Sequence, residues 1–179
     1  MEVLAPDDAG IARAAELIRA GEVVAFPTDT VYGLAALPAS ADRIYAAKSR
    51  PADKQLIAMA AEAGALERLV EIVEPARRLM ERHWPGALTL VLPTRSGKPP
   101  TLGVRVPDHP VALALLRALG EPVLTTSANL AGEPPALTAA GVRLPGWRPS
   151  STGAGRPAAS PPRWPLSRPG GFASSGRDR

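Results

Sequence analysis

Short apolar runs alternate with stretches of helical period along most of this chain, and few architectures satisfy that alternation. Asp7 and Asp8 precede apolar positions at Ile11, Ala14, Ala15 and Ile18, which predicts a capped helix closed by Gly21, where a left-handed residue suits a helix end. Glu22 to Phe26 is short, apolar and partly β-branched and reads as a buried strand. Pro27 cannot donate to a sheet ladder, so it ends that strand and puts Thr28, Asp29 and Thr30 on a loop. A helix is predicted over 41–48, stopped by Pro51, then a strand over 55–60, a helix over 63–72 and another from Pro75 to His83. Trp84-Pro85-Gly86 reads as a turn. Strands over 87–92, 102–106 and 122–126 and a helix over 110–119, ended by Gly120, complete the pattern. Strands alternating with helices predict an α/β layer fold on a twisted sheet, with ligands expected at the polar strand ends.

The pattern stops at Trp147. The last 33 residues hold six Pro, five Gly, six Ser and six Arg with no apolar period, a composition unable to offset chain entropy by burial. Two regions are therefore expected in the 179 residues: a folded domain over 1–146 and a disordered or loosely draped tail over 147–179. Charge divides at the same place. Residues 1–146 carry 15 Lys+Arg against 16 Asp+Glu, whereas the tail carries six Arg against one Asp, so the basic character that suggests nucleic acid belongs to the tail alone.

Several classes of function are set aside. With no cysteine there is no disulfide framework, thiolate nucleophile or cysteine metal site, and the usage fits a reducing cytosol. No apolar run reaches the roughly 18 residues of a membrane span and no charged-then-apolar leader opens the chain, so a cytoplasmic protein without membrane contact is expected. There is no Gly-x-x-x-x-Gly-Lys-Ser/Thr loop and no Gly-x-Gly-x-x-Gly after a strand. His83 and His109 have no metal-ligand spacing and read as exposed loop residues, which disfavours zinc and a Ser-His-Asp triad.

Three polar clusters follow predicted strands. Pro27-Thr28-Asp29-Thr30-Val31-Tyr32-Gly33-Leu34 gathers hydroxyls, a carboxylate and a phenol. Lys48-Ser49-Arg50-Pro51, with Asp53 and Lys54, sets a planar guanidinium fork beside compact ammonium charges, the pairing that would hold a polyphosphate without a Walker loop. Thr125-Thr126-Ser127-Ala128-Asn129 is a row of hydroxyls and an amide, and Arg105 adds a cation after Leu102-Gly103-Val104. Each has an ordinary alternative: a capped turn, a solvated basic surface, a plain loop. Together at the ends of one sheet they point to an anionic, nucleotide-like ligand.

The run Phe26-Pro27-Thr28-Asp29-Thr30-Val31-Tyr32-Gly33-Leu34, then Lys48-Ser49-Arg50-Pro51, Trp84-Pro85-Gly86-Ala87-Leu88-Thr89, Val104-Arg105-Val106-Pro107 and Ser127-Ala128-Asn129-Leu130, in that order, resembles the YrdC-like family of threonylcarbamoyl-adenylate synthases over about residues 10–145. The resemblance implies an open twisted mixed sheet with helices packed on it and a concave basic face. It implies a nucleotidyltransferase that joins L-threonine, bicarbonate and ATP into threonylcarbamoyl-AMP with release of pyrophosphate, for tRNA threonylcarbamoyladenosine, with other tRNA-modification proteins downstream. Position by position, it implies a catalytic quartet of Lys48, Arg50, Ser127 and Asn129. Thr30, Arg105 and Ser127 would hold threonine, while Lys48, Arg50, Lys54, Thr101, Thr125 and Ser127 would contact ATP. Mg2+ would arrive with the ATP, without protein ligands that the sequence reveals. The chemistry asks for cations, since two anions must be held in line while pyrophosphate leaves, and for positioning rather than a covalent intermediate.

The resemblance fails toward the C-terminus. The family's Ser-Thr-Val-Val-Asp stretch has no counterpart, Pro135 stands where a serine is common, and Arg168-Pro169-Gly170 echoes the family's ending too early in the chain. The last strands of the fold are expected to be missing, as after a change of reading frame near residue 146, leaving the ATP pocket half open. The alternatives to an active synthase are then an inactive remnant or a non-catalytic module for double-stranded RNA or tRNA, with the tail as a basic arm.

Overall fold

The structure, a computed structural model, describes residues 4–144 except 52 and 131. The expected tail over 147–179, the Arg168-Pro169-Gly170 run and the missing C-terminal strands lie outside the described residues. Helix α1 spans Asp8–Arg19, and its N-cap Asp7 accepts a hydrogen bond from the Gly10 amide at 2.8 Å. Gly21 follows with φ +86° and turns the chain into strand β1, Val24–Phe26. Strands β2 (Gly33–Ala36), β3 (Ile57–Met59), β4 (Leu90–Pro93), β5 (Thr101–Arg105) and β6 (Val123–Ser127) complete a mixed sheet in the order β1-β2-β6-β3-β5-β4. Among the described strands only β3 and β5 pair in parallel.

Helices cover both sides. The apolar stripes of α1 and of α5 (Pro110–Leu119) meet Phe26, Ala35, Met59 and Val123 on one face. The short α3 (Ala63–Leu66) and α4 (Glu74–His83) cover Ala58, Leu92 and Val104 on the other. Helix α2 (Ala41–Lys48) buries Ile44 against Ala36 and Leu56, and the segment carrying Ala136, Val142 and Leu144 closes over Leu34. Among the described residues no helix is long and apolar enough to cross a membrane.

Three elements differ from the reading of the sequence. Strand β2 was hidden inside the first polar cluster, because Gly33-Leu34-Ala35-Ala36 has weak β-propensity and is buried on both faces, so no alternation marks it. The helix expected over 63–72 ends at Leu66, because the backbone beyond it finds sheet-like partners: Glu71 N–H donates to the Pro93 carbonyl at 2.9 Å, Arg95 N–H to Leu69 at 3.0 Å, and Val70 bridges Thr94. Strand β4 starts at Leu90 rather than Ala87, since the Trp84 indole donates to the Leu88 carbonyl at 2.7 Å and draws that stretch into the turn.

Candidate active site

Cross-strand partners point to the same face of a sheet, and side chains alternate along each strand. Ile57 pairs with both Gly103 and Thr125, and Met59 with both Arg105 and Val123. Thr101, Arg105, Thr125 and Ser127 therefore share the face that α1 and α5 cover in part. Gly33 and Gly103 lie on it too, where side chains would crowd their neighbours: a Cβ at Gly103 would fall 2.7 Å from Ile57 Cγ2, and one at Gly33 would fall 3.1 Å from the Phe26 ring and from Thr125 Oγ1. The mixed topology changes one expectation. Since β5 runs opposite to β6, Arg105 and Ser127 end at opposite margins, four residues or about 13 Å apart along the strands. The polar residues thus spread across a face, and loops bring their ends together.

The loop after β1 does this for Arg105. Thr28 is 2% exposed, and its hydroxyl donates to the Val31 carbonyl at 2.6 Å while accepting from the Thr30 and Val31 amides, each at 3.2 Å. This tight turn aims Asp29 and Thr30 at Arg105. The buried guanidinium donates through Nε to the Gly86 carbonyl at 2.8 Å, through Nη1 to Thr30 Oγ1 at 3.0 Å and through Nη2 to Asp29 Oδ1 at 2.5 Å. Burial pulls the Arg105 pKa down and the Asp29 carboxylate opposes that pull.

A second contact unites Lys48 and Ser127. Helix α2 ends at Ser49, whose φ of 48° is left-handed, and the Arg50 amide closes back on the Tyr45 carbonyl at 2.9 Å. Lys48, 4% exposed, points inward and its ammonium donates to the Ser127 carbonyl. Burial first, and the nearby Arg50 charge second, lower its pKa to about 8. Arg50 leans the other way, its Nε and Nη2 donating to the Lys54 and Gln55 carbonyls, each at 3.0 Å. Lys54 itself is exposed and meets Arg50 through its backbone. Asn129 donates to the Leu130 and Glu133 carbonyls at 3.0 and 2.7 Å, which leaves its buried Oδ1 without a partner. The Ala128 amide donates to the Tyr32 carbonyl at 2.7 Å, tying this loop to the one that carries Asp29 and Thr30. Thr101 is half-buried beside Pro93, and Thr125 is 1% exposed with its hydroxyl unpaired.

Two residues gain importance that the sequence did not show. Asp29 lay in a recognised cluster but received no role of its own. Its neighbour in sequence, Thr30, drew the attention, and only the fold places the Asp29 carboxylate on Arg105. His109, expected to be an exposed loop residue, is half-buried at the start of α5, with Nδ1 buried and unpaired. Burial lowers its pKa, against the charges of Asp29 and Asp108. It caps the packed helix α5, and local polarity cannot reveal that placement. His83 is exposed in the last turn of α4.

Comparison with known proteins gives a consistent picture. The Sua5/yciO/yrdC family model, described as telomere recombination, matches residues 16–144. The chain is 48% identical over 143 residues to the threonylcarbamoyl-AMP synthase of Bacillus subtilis, covering 73% of this chain and 41% of that protein. It is 42% identical over 141 residues to the threonylcarbamoyl-AMP synthase of Nitrosococcus oceani, covering 73% and 76%. Among solved structures, Pyrococcus abyssi Sua5 complexed with L-threonine aligns with a TM-score of 0.72 and 43% identity over 76% of this chain and 43% of that one. The chain thus spans about two fifths of the length of the Bacillus subtilis protein.

Proposed function

Because the chain belongs to the Sua5/YciO/YrdC family, we propose that it is a nucleotidyltransferase that makes threonylcarbamoyl-AMP from L-threonine, bicarbonate and ATP with release of pyrophosphate, in the service of tRNA modification. The observation that carries this reading is the bond from Lys48 to the Ser127 carbonyl. It joins residues 79 apart in sequence and brings the end of the Lys48-Ser49-Arg50 run to the Ser127-Ala128-Asn129 loop.

Each residue then has a physical task. Lys48 and Arg50 neutralise the triphosphate, Lys48 as a point charge and Arg50 through the guanidinium donors its two backbone contacts leave over. Ser127 and the unpaired Oδ1 of Asn129 orient the nucleotide, with Thr101, Thr125 and Lys54 around it. Arg105 and Thr30 hold the carboxylate and hydroxyl side of threonine. Bicarbonate takes up a proton and loses water to give carbon dioxide, and the neutral amine of threonine attacks its carbon and releases one N–H proton to solvent, which leaves a carbamate. A carbamate oxygen then attacks the α-phosphorus, the bond to the β-phosphate oxygen breaks, and pyrophosphate leaves. The protein supplies alignment and charge, with no covalent intermediate. Among the described residues no three metal-ligating side chains come together, so Mg2+ is assigned to the triphosphate as part of the substrate.

The test is pyrophosphate release by the 179-residue chain in the presence of ATP and Mg2+. Release that requires both threonine and bicarbonate is expected. Release indifferent to either one, or none under conditions where the chain is folded, would refute the reading. A pH prediction accompanies it. Lys48 binds phosphate in its protonated form, which dominates below its pKa of about 8 and is lost above it. Affinity for ATP, measured by titration calorimetry, should therefore fall as pH rises through 8 and beyond, and Lys48→Arg should move that fall to higher pH. A flat profile from pH 7 to 10 would remove Lys48 from the phosphate site.

A further inference from the structure

We propose that Lys48 is a self-modification site, whose ε-amine takes the threonylcarbamoyl group from product held in the site and forms a urea. The inference goes beyond the proposed function and rests on it, since that reaction supplies the acyl donor.

Lys48 has the surroundings of a nucleophile. A lysine becomes nucleophilic when it is desolvated or set beside another cation, because both conditions favour the neutral amine. Lys48 meets both: it is 4% exposed, and the Arg50 charge acts on it from the segment after α2. The Ser127-Ala128-Asn129 loop that it reaches carries no charge. Among the described residues no ion pair holds the ammonium, which donates instead to the Ser127 carbonyl, a neutral acceptor. With its pKa at about 8, the neutral form gains ground as pH rises through that value.

Position and timing suit acyl transfer. Ser127 is assigned to both threonine and ATP, so an amine that reaches its carbonyl lies where the two substrates are joined. While the triphosphate is bound, its anionic oxygens keep Lys48 protonated. Departure of pyrophosphate removes much of that negative charge, and burial with Arg50 then favours loss of a proton to solvent. The lone pair of Nζ attacks the carbamoyl carbon of threonylcarbamoyl-AMP. The bond from that carbon to the oxygen on phosphorus breaks, AMP leaves with that oxygen and the bonding electrons, and one N–H proton passes to solvent. The urea so formed joins Nζ to the threonine nitrogen and carries no charge at Nζ. It is a dead end rather than an intermediate of synthesis. Each modified chain has lost a cation of its phosphate site, so product that is not handed on shuts off the chain that made it.

The chain contains three lysines, and Lys54 and Lys98 are exposed, so the modified position can be assigned directly. The full chain is incubated with ATP, Mg2+, bicarbonate and isotopically labelled L-threonine, pyrophosphate release is followed, and modified lysines are located by peptide mass spectrometry. Lys48 should carry the threonylcarbamoyl group at least about tenfold more often than Lys54 or Lys98, because donor and amine are held together. Modification per pyrophosphate released should increase as pH rises through 8. Pyrophosphate release with Lys48 unmodified, or with the three lysines modified alike by escaped product, overturns the inference and leaves the proposed function standing. Absence of pyrophosphate release fails the proposed function and the inference with it. Potassium cyanate probes the amine without the synthase reaction: it should carbamoylate Lys48 faster than Lys54 and Lys98, and ATP should protect Lys48. Slower reaction at Lys48 than at both exposed lysines also overturns the inference.

Discussion

Replacing Arg50 by alanine is expected to lower threonine- and bicarbonate-dependent pyrophosphate release by about 100- to 1,000-fold, the usual effect of removing one preorganised donor to a developing charge. The fold should survive. Among the described residues the Arg50 side chain donates to the Lys54 and Gln55 carbonyls of its own loop, so a stability change of about 1 kcal/mol is expected by urea unfolding. Two opposing consequences meet at Lys48. Loss of the neighbouring cation relieves part of the repulsion that lowers the Lys48 pKa, so that residue becomes more fully protonated and ATP still binds, weakly. The defect should therefore appear mainly in turnover, and Arg50→Lys, which keeps the charge and loses the planar fork, should recover only part of it. Turnover unchanged in Arg50→Ala would take Arg50 out of the site.

Leu34→Ala should produce the largest loss of stability, about 2–5 kcal/mol against a typical total of about 5–15 kcal/mol. Leu34 is fully buried on β2, between β1 and β6, and fills the space against Ala128, Ala136, Val142 and Leu144. Val23, Tyr32, Leu130, Val142 and Leu144 pack in the same cluster, and close-packed neighbours can relax only partly into the cavity. The effect extends to the site, because the same cluster presses the Ala128 amide onto the Tyr32 carbonyl and so fixes the Ser127 and Asn129 loop. Chemical denaturation should show a lower midpoint with the same slope. A change below about 1 kcal/mol would mean that the segment over 136–144 packs loosely on β2.

Capping and turn residues made much of the fold legible. Asp7 before α1, Pro75 at the start of α4 and Pro110 and Gly120 at the ends of α5 act through their own backbone geometry, which any surrounding fold must respect. Elements that depend on partners were not legible. Strand β2 exists because β1 and β6 pair with it from both sides, and residues 69–71 left their helical period because the backbone around Pro93 offered hydrogen bonds.

The site divides along the same line. The sequence by itself determined which chemical groups are present and in what order: the cations Lys48, Arg50 and Arg105, the hydroxyls around them and the amide of Asn129, an inventory that suits an anionic substrate. Tertiary structure alone decided that Lys48 reaches Ser127, that Arg105 ends at the opposite margin of the sheet, and that Asp29 and His109 belong beside it. The reason is physical. Local propensity acts over a few residues, whereas strand direction and charge pairing are settled between segments far apart in the chain, where burial sets the strength of every contact.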